Sequence, residues 1–202
     1  HLASQNRLPR LQKAMIAPFH LHKAMIERID AAIEAVKQGR EARIVLKMNA
    51  LTDEPLARAL ALASQHGVKV DIIVRGACIL PAGVPGETDN VQVRSVIGRL
   101  LEHSRVFYFK RGDEEELWLS SADWMNRNML RRVELCWPVT DPALRARVMD
   151  ECIHAYLADT RDAWVLQPKG VYERVAAPQG RQRAAQMVSA QNTLMGRYGT
   201  KG

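Results

Sequence analysis

Four short groups of residues between Val70 and Asn128 carry the side chains that a phosphate-handling site needs. They are Val74-Arg75-Gly76, Leu101-Glu102-His103-Ser104-Arg105, Leu119-Ser120-Ser121-Ala122-Asp123-Trp124 and Arg127-Asn128. Each ends or follows a segment that reads as a buried strand. Arginine presents a rigid, permanently charged fork that matches phosphate oxygens. Imidazole accepts or donates a proton, or attacks phosphorus itself, and hydroxyls donate to phosphate oxygens. Gathered at strand ends, these groups suit a site that holds a polyanion and moves a phosphoryl group. Taken one at a time, plainer readings are favoured: Arg75 ending a strand in solvent, His103 satisfied by Glu102, and Ser120, Ser121 and Asp123 forming an ordinary turn. Gly76 after Arg75 lets a ligand approach the backbone closely. Arg105, two residues after His103, shares its face if that strand begins early. Lys47 and Asn49 close an earlier strand in a comparable place, where Lys47 could contact phosphate and Asn49 could cap the following turn.

The elements that must position these groups follow from hydrophobic periodicity. Met25, Ile26, Ile29, Ile33 and Val36 recur at helical spacing after Pro18, predicting a helix from about His20 to Gln38 with Gly39 as its stop. Ala42 to Met48 is short, β-branched and apolar, hence a buried strand. Thr52 or Asp53 caps a helix with Pro55 in its first turn and Leu56, Ala59, Leu60 and Ala63 as its stripe. Val68 to Val74 is the next strand. Strand, helix and strand over so short a span form a βαβ unit, so the two strands are expected to be parallel. Arg75 to Asn90 is a long loop rich in Gly and Pro, of the kind that is often functional. Further strands are expected at Val91 to Val96, Val106 to Phe109, Glu116 to Ser120 and Val133 to Val139. A helical turn is expected at Gly98 to Glu102, and a slightly long hairpin loop around Gly112-Asp113. Asp141-Pro142 opens a last helix to about Asp159, with Leu144, Val148, Cys152 and Tyr156 inward. Trp118 and Trp137 read as core, whereas Trp124 could cover a ligand. From Pro178 the chain is basic, with Arg181, Arg183 and Arg197, and Ala184 to Met195 could form a short helix.

Composition narrows the classes. The 202 residues allow one substantial domain with a tail, and 47% hydrophobic content supports a real core. The net charge of +7, carried mostly by arginine, favours a polyanionic partner without choosing among nucleic acid, nucleotide, polyphosphate and membrane. Cys78, Cys136 and Cys152 are odd in number and widely spaced, which argues against structural zinc and disulfides and for a reducing, cytoplasmic setting. No long apolar run predicts a membrane span, and no signal peptide is evident. The start at His1 reads as a cut from a longer chain. Residues 1–19 are assigned to a linker or the end of a preceding domain, 20–175 to the main domain, and 176–202 to a basic, partly helical tail.

The segment from Ala17-Pro18-Phe19 to about Val175 resembles the C-terminal catalytic domain of the long, multidomain polyphosphate kinases. Leu46-Lys47-Met48-Asn49-Ala50-Leu51, Val74-Arg75-Gly76, Val93-Arg94-Ser95-Val96-Ile97-Gly98-Arg99, Leu101-Glu102-His103-Ser104-Arg105, Leu119 to Met125 and Arg127-Asn128 carry the resemblance. As a set they are specific; singly, none is. The resemblance implies an α/β, phospholipase D-like domain with a mixed central sheet flanked by helices. It implies reversible transfer of the terminal phosphate of ATP to inorganic polyphosphate, through a phosphohistidine in a preceding domain that also supplies most of the magnesium ligands. This chain is expected to hold no metal of its own. Arg75 and His103 match the nucleotide-binding arginine and the second active-site histidine. Arg105, Ser120 and Ser121 are expected to join them on ATP and its phosphates, and Lys47, Arg94, Arg99 and Arg127 to line a polyphosphate channel. ATP or ADP, polyphosphate and the upstream domains are the expected partners, within a homo-oligomer, and the isolated piece is expected to be inactive. Arg105 replaces the lysine of the strict phospholipase pattern and Lys110 its aspartate. Two rival readings stay open: a dimeric phospholipase D-like phosphodiesterase or nuclease, and a non-catalytic polyanion-binding module.

Overall fold

The computed structural model describes residues 13–175 and 187–199. In chain order the elements are β1 (Met15–Ala17), α1 (Leu21–Lys37), β2 (Ala42–Met48), α2 (Glu54–Gln65), β3 (Lys69–Val74), β4 (Val91–Val96), β5 (Val106–Arg111), β6 (Glu114–Ser120), α3 (Asn126–Leu130) and β7 (Glu134–Pro138). Then α4 (Pro142–Val148) runs through a π-helical stretch (Met149–His154) into α5 (Ala155–Leu157), followed by β8 (Ala163–Leu166), β9 (Tyr172–Arg174) and α6 (Ala190–Tyr198). The nine strands form one sheet in the order β1-β7-β6-β5-β2-β3-β4-β8-β9. β2, β3 and β4 are parallel and their flanking neighbours antiparallel, so the sheet is mixed.

Side-chain alternation divides the core between two faces. Ile44, Leu46 and Met48 pack with Leu21, Met25, Ile29, Leu56 and Leu60 under α1 and α2. Val45, Val106, Tyr108 and Leu117 point the other way and meet Ile153 of the π-helical stretch. Cover on both faces is why the central strands read as nearly unbroken apolar runs. The expected cap of α2 is Asp53, whose side chain accepts from Leu56 N at 3.1 Å. The three cysteines are free.

Several local expectations are corrected. Gly98 to Glu102 is irregular rather than helical. The side-chain amide of Gln191 on α6 takes its backbone bonds, accepting from Leu100 N at 2.7 Å and donating to Leu100 O at 2.8 Å. The β5–β6 connection is the two residues Gly112-Asp113, because Gly112 adopts φ +59 and lets the strands run on to Arg111 and from Glu114. Leu144 is 54% exposed rather than inward. The other three expected positions do face the core: Val148 and Cys152 pack against it and Tyr156 is buried, joined across the π-helical stretch by Met149 and Ile153. Trp137 is 42% exposed on β7. Trp124 is fully buried against the edge of Phe107, ring centroids 5.5 Å apart, and so seals the core instead of covering a ligand. The long loop after β3 is a packed crossover, with Leu80, Ala82 and Thr88 buried, returning the chain to the parallel strand β4.

At the chain's two ends, Met15–Ala17 pairs with β7 as an edge strand and α6 packs through buried Ala190. Of the expected tail helix, the described part is α6 (Ala190–Tyr198), and residues 184–186, Arg181 and Arg183 lie outside the described residues. No helix among the described residues is long and apolar enough to cross a membrane.

Candidate active-site rim

Parallel strands bring their carboxyl ends to one rim, where α/β sheets place ligands. Met48 is in register with Val74, so Asn49 and Arg75 emerge side by side. Gly76 N donates to Asn49 O at 2.8 Å, and a Cβ on Gly76 would stand 2.8 Å from that same oxygen. Only glycine permits the approach, which is the physical reason it follows Arg75. β5 begins and β6 ends at this rim, because Val106 pairs with both Lys47 and Leu119. The first three sequence groups therefore meet along one edge, while Arg127-Asn128 follows on α3.

Arg75 is half-buried, and its Nε donates to Asn49 Oδ1 at 3.0 Å and to Glu102 O at 2.8 Å. These bonds hold the stem. Neither Nη group makes a hydrogen bond among the described residues, which leaves the outer fork for an anion. His103 is exposed, one residue beyond that carbonyl, and its ring has no hydrogen-bond partner among the described residues. Glu102 does not satisfy it, being engaged elsewhere. Arg105 Nη1 donates to His103 O at 2.9 Å, so the backbone on either side of the Glu102–His103 peptide is clamped by one arginine each.

Asp123 ties the clamp together. It accepts from Asn49 N at 2.7 Å, Asn49 Nδ2 at 3.3 Å, Arg105 Nε at 3.2 Å and Arg105 Nη2 at 3.1 Å. Arg75, Asn49, Asp123 and Arg105 thus form one hydrogen-bonded chain. The expectation that Arg105 grips phosphate is corrected in part: its fork already lies on a carboxylate. Burial raises the affinity of Asp123 for its proton, but bonds from Arg105 and Asn49 outweigh it and hold the carboxyl below its ordinary value of 3.8. The folded chain then binds this proton less readily than the unfolded chain. The stability it contributes is full above 3.8 and is lost as pH falls through the folded value. Asp123→Asn is expected to lower unfolding free energy by about 1.5–3 kcal/mol at neutral pH. In urea titrations at stepped pH, the gap between variant and parent should narrow below 3.8; a gap constant down to the acid limit contradicts the assignment.

The remaining sequence candidates divide. Ser120 Oγ donates to Leu135 O at 2.9 Å, and Ser121 Oγ donates to Glu134 Oε2 at 2.5 Å. Both hydroxyls lock the end of β6 onto β7, so neither is free for phosphate. Arg94 is already occupied. Its Nη1 donates to Tyr156 O at 3.2 Å and Asp159 O at 2.8 Å, closing the end of α5, and burial lowers its pKa. Arg99 is exposed and shares with Arg75 a cleft of about 260 Å³. Arg127 is exposed on α3, shortly after the Asp123–Trp124 turn.

Lys47 is 4% exposed and does not reach the surface as a channel residue. Its ammonium donates to Glu102 Oε2 at 3.2 Å and lies 3.3 Å from the centroid of the Tyr156 ring. Tyr156 OH donates to the other oxygen of Glu102, and Ser104 Oγ donates to Oε2 at 3.4 Å. Burial pushes the Lys47 pKa down against the pull of Glu102, while burial and the bond to Glu102 push Tyr156 up. This network sits directly behind Arg75 and His103, and reasoning from the sequence missed it. The available signal was a lysine inside an apolar strand, which needs a carboxylate wherever it is buried. Among the described residues, no group of three or more His, Cys, Asp or Glu could hold a metal ion.

Comparison with known proteins adds ancestry to this geometry. The family described as "Polyphosphate kinase C-terminal domain 2" matches residues 14–186. The chain is 47% identical over 196 residues to a polyphosphate kinase of Pseudomonas putida, covering 97% of this chain and 26% of that protein. It spans about a quarter of the length of the curated relatives it matches. A crystal structure of polyphosphate kinase from Porphyromonas gingivalis superposes with a TM-score of 0.86 at 32% identity, over 97% of this chain and 30% of that one. Nuc from Salmonella typhimurium, a phospholipase D family member, superposes with a TM-score of 0.50 at 15% identity over 68% of this chain and 88% of its own. That last likeness is one of fold.

Proposed function

Because the chain belongs to the polyphosphate kinase C-terminal domain family, we propose that it supplies one half of the active site of an ATP–polyphosphate phosphotransferase. The observation that carries this reading is Arg75: its Nε is tied down, its outer fork is unclaimed, and the exposed His103 stands beside it. In this reading a histidine of a preceding domain attacks the terminal phosphorus of ATP. A nitrogen–phosphorus bond forms as the bond to the bridging oxygen breaks and ADP leaves. A terminal oxygen of polyphosphate then attacks that phosphorus, the nitrogen–phosphorus bond breaks and frees the histidine, and the polymer is lengthened by one phosphate. Phosphoryl transfer needs charge neutralisation and alignment more than further covalent chemistry. The Arg75 fork grips the nucleotide phosphates, and His103 stabilises the transferred group or carries a proton. Arg105, through Asp123, holds the backbone that presents His103, while Arg99 and Arg127 extend the positive rim along the polymer.

Exposed Ile97, Leu100 and 68%-exposed Leu101 flank the same rim. Apolar side chains beside unclaimed cationic groups suit a surface completed by another domain. The domain limits, the cytoplasmic homo-oligomer and magnesium held outside this chain belong to the same reading. The test is a chimera in which this chain replaces the matched quarter of the Pseudomonas putida enzyme. Polyphosphate made from ATP by the chimera, with salt-sensitive polyanion binding but no turnover by the chain alone, supports it. A chimera that folds and assembles but makes no polyphosphate overturns it.

A further inference from the structure

A second cavity, of about 530 Å³, opens at the opposite end of the sheet from the rim, roughly 20 Å away along β2. Small-molecule sites span about 300–1,000 Å³. Its floor has an unusual charge pattern. Arg43 is in register with Lys69 on one neighbouring strand and with Lys110 on the other. Three cations thus lie side by side on one face of β3, β2 and β5, an arrangement in which like charges repel. Asp71 takes up only Arg43, at 2.7 Å. Neither Lys69 nor Lys110 has a hydrogen bond or ion pair among the described residues. Of the acidic groups nearby, Glu41 is exposed at the mouth, and Glu115, directly opposite Lys110 on β6, is held by Arg145 at 3.1 Å.

Above this floor the walls turn apolar. Met149 and Leu157 of the covering helix, both half-buried, face it, with the buried Val45, Tyr108 and Ile153 behind them. That helix is wound as a π-helix from Met149 to His154, over the same residues that line the cavity. π-Helical turns occur frequently at functional sites.

We propose that this cleft binds a nucleoside di- or triphosphate, with its phosphates across Lys69, Arg43 and Lys110 and its base against the half-buried Met149 and Leu157. The site is separate from the rim and independent of the reading given to it. The test uses this chain carrying Arg75→Ala, so that the rim fork is absent, titrated calorimetrically with ATP and with tripolyphosphate. One ATP site is expected to persist, with tripolyphosphate at least about tenfold weaker for want of the apolar contact. Adding Lys69→Ser and Lys110→Ser should weaken ATP binding at least about tenfold, since two charge-assisted contacts are lost. Amide chemical shifts of the unaltered chain give a second readout that needs no variant; ATP should move Arg43, Lys110, Met149 and Leu157. The proposal is overturned if the Arg75→Ala chain binds no ATP, if tripolyphosphate binds as tightly as ATP, if the lysine changes leave affinity intact, or if the shifts are confined to the rim.

Discussion

Under the proposed function, Arg75→Ala in the Pseudomonas putida chimera is expected to cut the rate of phosphoryl transfer by about 10²–10³, as removing one preorganised charge-stabilising donor does elsewhere. The expectation rests on how the side chain is held. Asn49 Oδ1 and Glu102 O both take the Nε hydrogen, at 3.0 and 2.8 Å, so the guanidinium is oriented before any ligand arrives. Its outer fork can then meet two phosphate oxygens without reorganising. Arg75→Lys keeps the charge but has no second donor geometry and cannot bond Asn49 and Glu102 while gripping phosphate. It should recover no more than about tenfold of the loss. Steady-state kinetics with varied ATP separate the contributions: a fall in kcat marks a contact strengthened in the transition state, and a rise in KM alone marks uniform binding. If the alanine enzyme keeps both constants, Arg75 does not touch the transferred group.

Glu102→Ala should have the largest effect on folding. It leaves the Lys47 ammonium, 4% exposed, without its carboxylate and Tyr156 OH without its acceptor. Removing one partner of a fully buried pair costs about 3–5 kcal/mol; since Glu102 keeps some contact with water, about 2–4 kcal/mol is expected. Lys47 binds its proton less readily folded than unfolded, because burial pushes its pKa down from 10.5. Stability linked to it therefore rises as pH climbs toward 10.5, and more steeply in Glu102→Ala, where nothing opposes the burial. Combining Lys47→Met with Glu102→Leu removes both charges and should restore most of the loss. Urea unfolding of the chain measures all three. A Glu102→Ala cost below about 1 kcal/mol would show that the pair is solvated in practice.

Much of the fold was legible because periodicity reports burial directly. The runs Ala42 to Met48 and Val68 to Val74 are apolar along their length because helices cover both faces of the central strands, and the Asp53 and Asp141 caps read straight from local chemistry. The edge strands Met15–Ala17 and Tyr172–Arg174 were not legible. Three residues carry too little pattern to separate from loop, and they are strands only because β7 and β8 offer them partners. The π-helical stretch escaped for a related reason: its spacing is set by what it packs on.

The site divides in the same way. Residue types at strand ends marked out Arg75, His103, Arg105 and the Ser120–Asp123 turn, since those side chains suit phosphate wherever they converge. What each charge does depends on partners far along the chain: Arg105 on Asp123 at a separation of 18, Lys47 on Glu102 at 55 and Arg94 on Asp159 at 65. The sequence by itself determined the family, the strands and the kinds of group that gather at their ends. Only the tertiary structure decided that Arg75 keeps an open fork while Arg105, Lys47 and Arg94 are occupied, because a charge leaving water takes the nearest carboxylate or carbonyl, and folding alone chooses which one that is.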